Sequence, residues 1–398
     1  RKTVVRVTFT KAVAWNGAAE TDLPEGIAVS GLRGYEKSYE KLLGSLASHG
    51  LLPMKQETDM IDRAYSITER KPLDYGSKFR VKLDPAIQIG TAVSTICLEL
   101  VASMELNYAG VCNDVDSEFL HDFRIAIRRT RSLMSLLRKV LPREQLHFFE
   151  TEFKWLGGVT GPVRDIDVYL LRKQSYLGLL PKSLRGGLTL FFEQLASQRS
   201  DELSLLSKHL SSERYLDLME KWRIFLTDPN SELFKEIRKK PCLSLVNKII
   251  SKRFDRFITD GDQISDKTDD EQLHKLRIKG KKFRYLLEFF RSFYGGREID
   301  LFLKHMKKVQ DNLGDFNDLS VQIAVLNEKL ERLKARNKQT ILLAAALGSL
   351  ITRLKQEHRQ VRGKFTATYQ EFSTEENRAL MGKLTTLHSS RMPVKRKQ

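Results

Sequence analysis

A fourteen-residue passage returns 153 residues further along the chain without a gap, and this duplication constrains the fold more than any other feature. The run from Leu120 to Leu133 (LHDFRIAIRRTRSL) aligns with the run from Leu273 to Leu286 (LHKLRIKGKKFRYL). At the same spacing Lys154 meets Lys307, Gly161 meets Gly314, Asp165 meets Asp318 and Val168 meets Val321. One spacing shared by separate motifs implies two copies of one supersecondary unit related by a pseudo-two-fold.

Both copies read as amphipathic helices. At 100° per residue His121, Arg124, Arg128 and Arg131 fall within an arc of roughly 80°, with Phe119, Phe123, Ile127, Leu133, Met134 and Leu137 on the opposite side. The second copy repeats the stripe with His274, Arg277, Lys281 and Arg284, opposed by Leu276, Phe283, Leu286, Leu287 and Phe290. Ile125 and Ile278 lie at the stripe's edge and are expected to pack on a neighbouring helix. A charge run is ordinarily a solvated face. Four cations in one arc repel each other, however, and few carboxylates stand at i+3 or i+4 to offset them. Two such stripes call for a polyvalent anion: Arg offers a planar fork for phosphate oxygens, Lys a mobile charge, and His a donor whose charge rises beside phosphate.

The whole composition points the same way. The 398 residues carry 68 Lys+Arg against 50 Asp+Glu, a net charge of +18, which suits nucleic acid, a phosphate polymer or an anionic membrane. With 41% hydrophobic residues the chain is not broadly disordered. Cys97, Cys112 and Cys242 are scattered with no CxxC, which favours a reducing, cytoplasmic setting over a structural zinc site. The longest apolar run, Ile341 to Ile351, is interrupted by Gly348 and Ser349 and followed by Arg353 and Lys355, so it reads as a core helix rather than a membrane span. The chain opens on Arg1 without a Met or a signal peptide, as a fragment of a longer protein would.

The first 80 residues differ in character. Residues 2–10 alternate as a half-buried strand with Val5, Val7 and Phe9 on one face. A loop with Gly17, Pro24 and Gly26 follows, then a helix from Tyr35 to His49 closed by Gly50 and Pro53, and a short strand from Lys78 to Leu83. A boundary is expected at 80–85, with an all-helical, bundle-type remainder.

Two metal-like patterns are weakened by the repeat. His121-Asp122 becomes His274-Lys275, and Asp165-Ile166-Asp167 becomes Asp318-Leu319-Ser320, so neither paired motif is retained. Asp165 and Asp318, each following a glycine, are expected near helix starts, capping N–H groups or holding an Arg. No nucleophile with a base, Walker A loop or dinucleotide fingerprint is present, and Gly157-Gly158-x-x-Gly161 lacks a preceding strand.

The pattern His121-x-x-Arg124-x-x-x-Arg128-Arg129-x-Arg131 with Gly161-Pro-Val-Arg-Asp165, and its return from His274 to Arg284 and at Leu313-Gly314 to Asp318, resembles the CHAD family, the conserved histidine α-helical domain. The likeness covers about residues 85–385. It implies a mainly all-α fold of two pseudo-symmetric four-helix bundles whose basic faces line a central groove binding inorganic polyphosphate, as in family members associated with polyphosphate granules. The implied ligands are His121, Arg124, Arg128, Arg131, His274, Arg277, Lys281 and Arg284, with Arg129, Lys154, Lys282, Lys307 and Lys308 as additions. Residues 1–80, through Gly34-Tyr35-Glu36 and Asp74-Tyr75-Gly76-Ser77-Lys78, resemble the closing part of a CYTH domain, although that family's ExExK motif is absent. Residues 386–398 read as a flexible basic tail.

The resulting expectation is a non-enzymatic polyphosphate-binding module without cofactor or metal. The alternative is a nucleic-acid-binding protein, which the charge permits. Against it, no aromatics interleave with the stripe cations and no nucleic-acid motif occurs. A phosphatase would need a metal or nucleophile that the repeat does not retain.

Overall fold

A computed structural model describes residues 3–15, 20–51, 53, 58–67, 79, 81–235, 241–334 and 337–386. The tail expected over 386–398 and the Asp74 to Lys78 motif lie outside these residues, apart from Thr386. The chain divides into two compact units, residues 1–78 and 79–398.

In the first unit, strand β1 (Val5–Thr10) pairs antiparallel with β4 (Gly26–Gly31), Val7 opposite Val29 and Phe9 opposite Ile27. Strand β2 (Val13–Trp15) pairs with β3 (Glu20–Asp22). The segment expected to be a loop therefore holds three strands: β2 and β3 have three residues each, too short for alternation to register, and β4 is bounded by Gly26 and Gly31, which read as loop signals. The half-buried face expected of β1 is open: Val7 is 39% and Phe9 77% exposed. Helix α1 (Glu36–Ser48) follows, packing Tyr39 against the backbone of Gly31, where an added Cβ would meet the ring at 3.3 Å. It ends at Gly50 (φ +81°), whose left-handed backbone lets the Leu51 N–H donate to the Leu46 carbonyl. Helix α2 spans Thr58–Ile67.

The second unit is helical. Its helices are α3 (Ile89–Cys112), α4 (Ser117–Leu137), α5 (Arg143–Val159), α6 (Gly161–Leu171), α7 (Lys173–Leu179), α8 (Lys182–Leu210), α9 (Glu213–Thr227), α10 (Cys242–Asp262), α11 (Asp270–Phe289), α12 (Gly296–Glu331), α13 (Lys338–Gly363), α14 (Phe365–Phe372) and α15 (Glu375–Thr386). The starts of α3 and α10, of α4 and α11, and of α5 and α12 are each 153 residues apart. The duplication extends to the caps. Asp116 accepts from the Glu118 N–H and its counterpart Asp269 from the Gln272 N–H, each worth about 1 kcal/mol to its helix. The strand expected over Lys78–Leu83 is absent at its described residues. Leu83 instead bonds through both N–H and carbonyl to the Ser292 hydroxyl, and Phe79 sets its ring edge-on to Phe289.

Helices α3, α4, α5 and α9 form one four-helix bundle, and α10, α11, the first half of α12 and the α14–α15 pair form its counterpart. They share one core. Helix α3, the one described helix long and apolar enough to cross a membrane, lies in this core with more than half of its most apolar window buried. The two copies fill equivalent positions differently. Phe257, Gly280 and Phe283 stand where Met104, Ile127 and Thr130 do, and a Cβ on Gly280 would lie 2.9 Å from the Phe257 ring, so the larger ring requires the smaller residue.

A further cluster, not anticipated from the sequence, gathers α6, α8, α13 and the second half of α12 around Tyr169, Phe191, Leu319, Leu326 and Leu347. It draws helices from both repeats. The Ile341 to Ile351 run lies in α13, where Leu343, Ala346, Leu347, Leu350 and Ile351 are buried as expected of a core helix.

Equivalent residues meet where the pseudo-two-fold axis must pass. Gln88 bridges Pro241, and the Tyr169 hydroxyl donates to the Gln322 carbonyl (3.4 Å), each pair 153 residues apart. Helices α4 and α11 also pack on each other, by two contacts that the same symmetry relates. Arg129 Nη2 reaches Glu288 Oε2 at 3.2 Å, and Lys282 Nζ donates to Ser135 Oγ at 3.2 Å.

Candidate functional site

The apolar faces of α4 and α11 are buried through Phe123, Ala126, Ile127, Leu133 and Met134 and through Leu276, Phe283, Leu286 and Leu287. The stripes are thereby turned away from their own bundle cores. Arg124, Arg128, Arg277, Lys281, Arg284 and His121 are half-buried, whereas Arg131 and His274 are exposed. Packing of α4 on α11 joins the stripes: Arg128 lies close enough to Arg277 and Lys281 to disfavour their charged forms.

Arg124 is the most strongly held. Its Nη1 donates to the Gly157 carbonyl (3.0 Å) and to Thr160 Oγ1 (2.8 Å) at the junction of α5 and α6. The interruption there has a local cause. Pro162 lacks an N–H and starts a new helix, whereas its counterpart Asp315 lets α12 run unbroken for 36 residues. Asp318 therefore stands in mid-helix and not near a helix start, which corrects the sequence expectation. It does hold an arginine, accepting from Arg277 Nη2 at 3.5 Å. A Cβ at Gly157 would lie 3.0 Å from Arg131 Nη1, and one at Gly161 would lie 3.7 Å from Arg124 Nη1. These glycines give the stripe room, a role their spacing did not reveal.

The histidines differ. His274 Nδ1 lies 2.6 Å from Asn317 Oδ1, and Asn317 Nδ2 donates to Asp318. That chain assigns the proton to Nδ1 and leaves Nε2 for another partner. In the first copy Arg164 occupies the position of Asn317. Burial first, then the Arg164 charge, holds His121 below the ordinary histidine range. Arg164 and Asn317 were not singled out from the sequence; their shared place before the repeated aspartate was the available signal.

His121, Arg128, Arg131 and Lys281 make no hydrogen bond or ion pair with other described residues. The Nε atoms of Arg124, Arg128, Arg277 and Arg284 are buried without an acceptor. Burial, reinforced by Arg277 and Arg128, pushes the Lys281 amine down to about 8, and burial brings Arg124 to about 10. Among the described residues the carboxylates beside these guanidinium and amine groups are those of Asp165, Asp318 and Glu288, so positive charge is in excess and buried guanidinium Nε donors are left unsatisfied, an arrangement suited to an anion.

The additional cations separate into groups. Arg129 and Lys282 form the contacts between repeats. Lys307 is paired with Asp311 (2.6 Å) and Lys308 with Glu371 (3.3 Å), while Lys154 is exposed on α5. Arg284 leans on Glu288 at 3.3 Å. Ile278 is 40% exposed and does not complete the packing expected of it. The carboxylates of Asp165 and Asp167 serve different arginines. Asp167, buried, accepts from Arg199 Nε at 2.6 Å, and Asp165 stands beside Arg124. Among the described residues no three His, Cys, Asp or Glu side chains gather as a metal site would require.

The sequence profile of the CHAD domain matches residues 95–327, more than half of the chain. The chain belongs to the CHAD domain family. The match begins beyond residues 1–80 and carries nothing for the resemblance of that segment to a CYTH domain. The crystal structure of the CHAD domain from the plant Ricinus communis superposes with a TM-score of 0.63 at 22% identity, covering 75% of this chain and 97% of that one. PptA from Streptomyces chartreusis gives a TM-score of 0.55 at 16% identity, covering 71% of this chain and 99% of the other. These likenesses establish a shared helical fold. No match was found among curated proteins.

Proposed function

We propose that this CHAD domain binds inorganic polyphosphate, without chemical conversion, along the joined stripes of α4 and α11, and that it thereby attaches to cytoplasmic polyphosphate granules. The observation that carries the reading is the set of half-buried guanidinium and amine donors lacking protein partners, continued from one repeat into the other. A polymer with one charge per unit and no bases suits stripes whose neighbouring aromatics, Phe123, Phe283 and Tyr285, are buried and unavailable for stacking.

Competition of labelled polyphosphate against single-stranded RNA at fixed salt tests this. Polyphosphate is expected to displace RNA at about ten-fold lower concentration, and its affinity to fall steeply with salt as counterions are released. RNA winning the competition, or an affinity indifferent to salt, would overturn the proposal.

Lys281 adds a pH signature. In the unfolded chain a lysine keeps its proton to about 10.4, but here the amine loses it as pH rises through about 8. Between those values the unfolded state binds more protons, so the ligand-free protein should become more stable as pH rises. Polyphosphate binding should weaken from pH 7 to 9 over the same titration. Lys281→Arg, charged throughout, should flatten the decline, as titrations at pH 7, 8 and 9 would show.

A further inference from the structure

A second basic surface lies outside the duplicated stripes. Between α10 and the end of α15 runs an open groove of about 780 Å³, lined in part by Lys248, Lys252 and Arg256. Spaced four residues apart, these cations share one helix face. All three are exposed and make no hydrogen bond or ion pair with described residues. Of the two carboxylates at the groove, Asp260 is tied to Lys279 at 2.5 Å, leaving Asp255 against three positive charges. The hydroxyls of Ser244 and Ser251 line the same groove and can donate to an anion.

Further cations stand between this groove and the central site within electrostatic range of each other: Arg253 feels the charge of Arg256, and Lys282 feels those of Arg253 and of Arg131, the last cation of the α4 stripe. This continuation belongs to one repeat. The first-copy counterparts of Lys248, Lys252, Arg253 and Arg256 are Thr95, Glu99, Leu100 and Ser103. The contacts between repeats differ in the same sense. Glu288 neutralises Arg129, whereas its counterpart Ser135 offers Lys282 only a hydroxyl. The bundle duplicated, but the spare charge stands on one side.

We infer that the α10 groove is an additional polyanion subsite, which takes a further run of phosphates from a chain already held by the stripes and so gives the track a single exit. The inference rests on the polyphosphate reading above. A chain too short to leave the stripes gains nothing from the subsite, whereas a long chain engages both intramolecularly.

The test compares the full chain with a Lys248→Gln, Lys252→Gln, Arg256→Gln variant, and with an Arg33→Gln, Lys37→Gln, Lys41→Gln variant carrying the same charge loss elsewhere. Binding of polyphosphates of about ten and of several hundred units is measured across a salt series, with a thermal melt of each variant. The groove variant should lose about ten-fold in affinity for the long polymer, with a salt slope shallower by about two, and keep its affinity for the short one. The charge control should match the parent on both. Parental long-chain binding by the groove variant, equal losses on both lengths, or an equal loss in the charge control would each overturn the subsite. Failure of the parent to bind either polymer would instead remove the polyphosphate reading itself.

Discussion

Replacing Arg128, Arg131 and Lys281 together with alanine is expected to lower affinity for polyphosphate by about 10²- to 10³-fold, since each charge-assisted contact contributes upward of about 1 kcal/mol. The melting temperature should hold or rise. These side chains make no hydrogen bond or ion pair with described residues, and Lys281 is held charged at neutral pH against burial and two arginines. Removing such a charge relieves repulsion, which at about 1 kcal/mol would shift the melt upward by about one to two degrees in a unit of this size. Arg124 belongs to a different class. Its guanidinium bridges Gly157 and Thr160 at the α5–α6 junction, so Arg124→Ala should cost stability as well as affinity. Calorimetric melts beside binding titrations separate the two classes. If the Arg128, Arg131, Lys281 variant unfolds, the stripe is a structural network and the site is misassigned.

The duplicated helices were legible because two independent signals coincided, apolar periodicity and a constant spacing of 153 residues. The stripe residues could be named for the same reason: on a helix, position along the chain fixes the face. What could not be read depended on partners distant in sequence. Nothing local distinguishes Arg129 from Arg128, yet one faces Glu288 across the pseudo-two-fold and the other makes no hydrogen bond or ion pair among the described residues. Asp165 and Asp318 look alike, but a single proline breaks one helix ahead of the first and leaves the second in mid-helix. The cluster of α6, α8, α12 and α13 escaped notice because each helix carries an ordinary amphipathic pattern, and only the fold shows that one helix packs in two places. In the first unit, β1 alternates as a half-buried strand does, but alternation cannot say whether anything covers the face, and Phe9 remains open.

Long polyphosphates are expected to bind far more tightly than short ones, and removing either stripe should abolish most of that advantage. Each stripe spans ten residues of helix, about 15 Å, and the packing of α4 on α11 sets Arg128 beside Arg277 and Lys281, so a chain leaving one stripe meets the other at once. The second engagement is then intramolecular, and avidity over a single stripe can reach 10²-fold or more without any new kind of contact. A chain too short to span the junction cannot collect it. In a chain-length series the parent should therefore improve steeply until both stripes are filled and then level off. An Arg277→Ala, Lys281→Ala variant, which empties the second stripe near the junction, should bind long and short chains with nearly equal affinity. Two stripes acting independently predict something different, half the binding capacity with the preference for long chains intact. That outcome would show that the pseudo-two-fold brings the stripes together in space without making them one site.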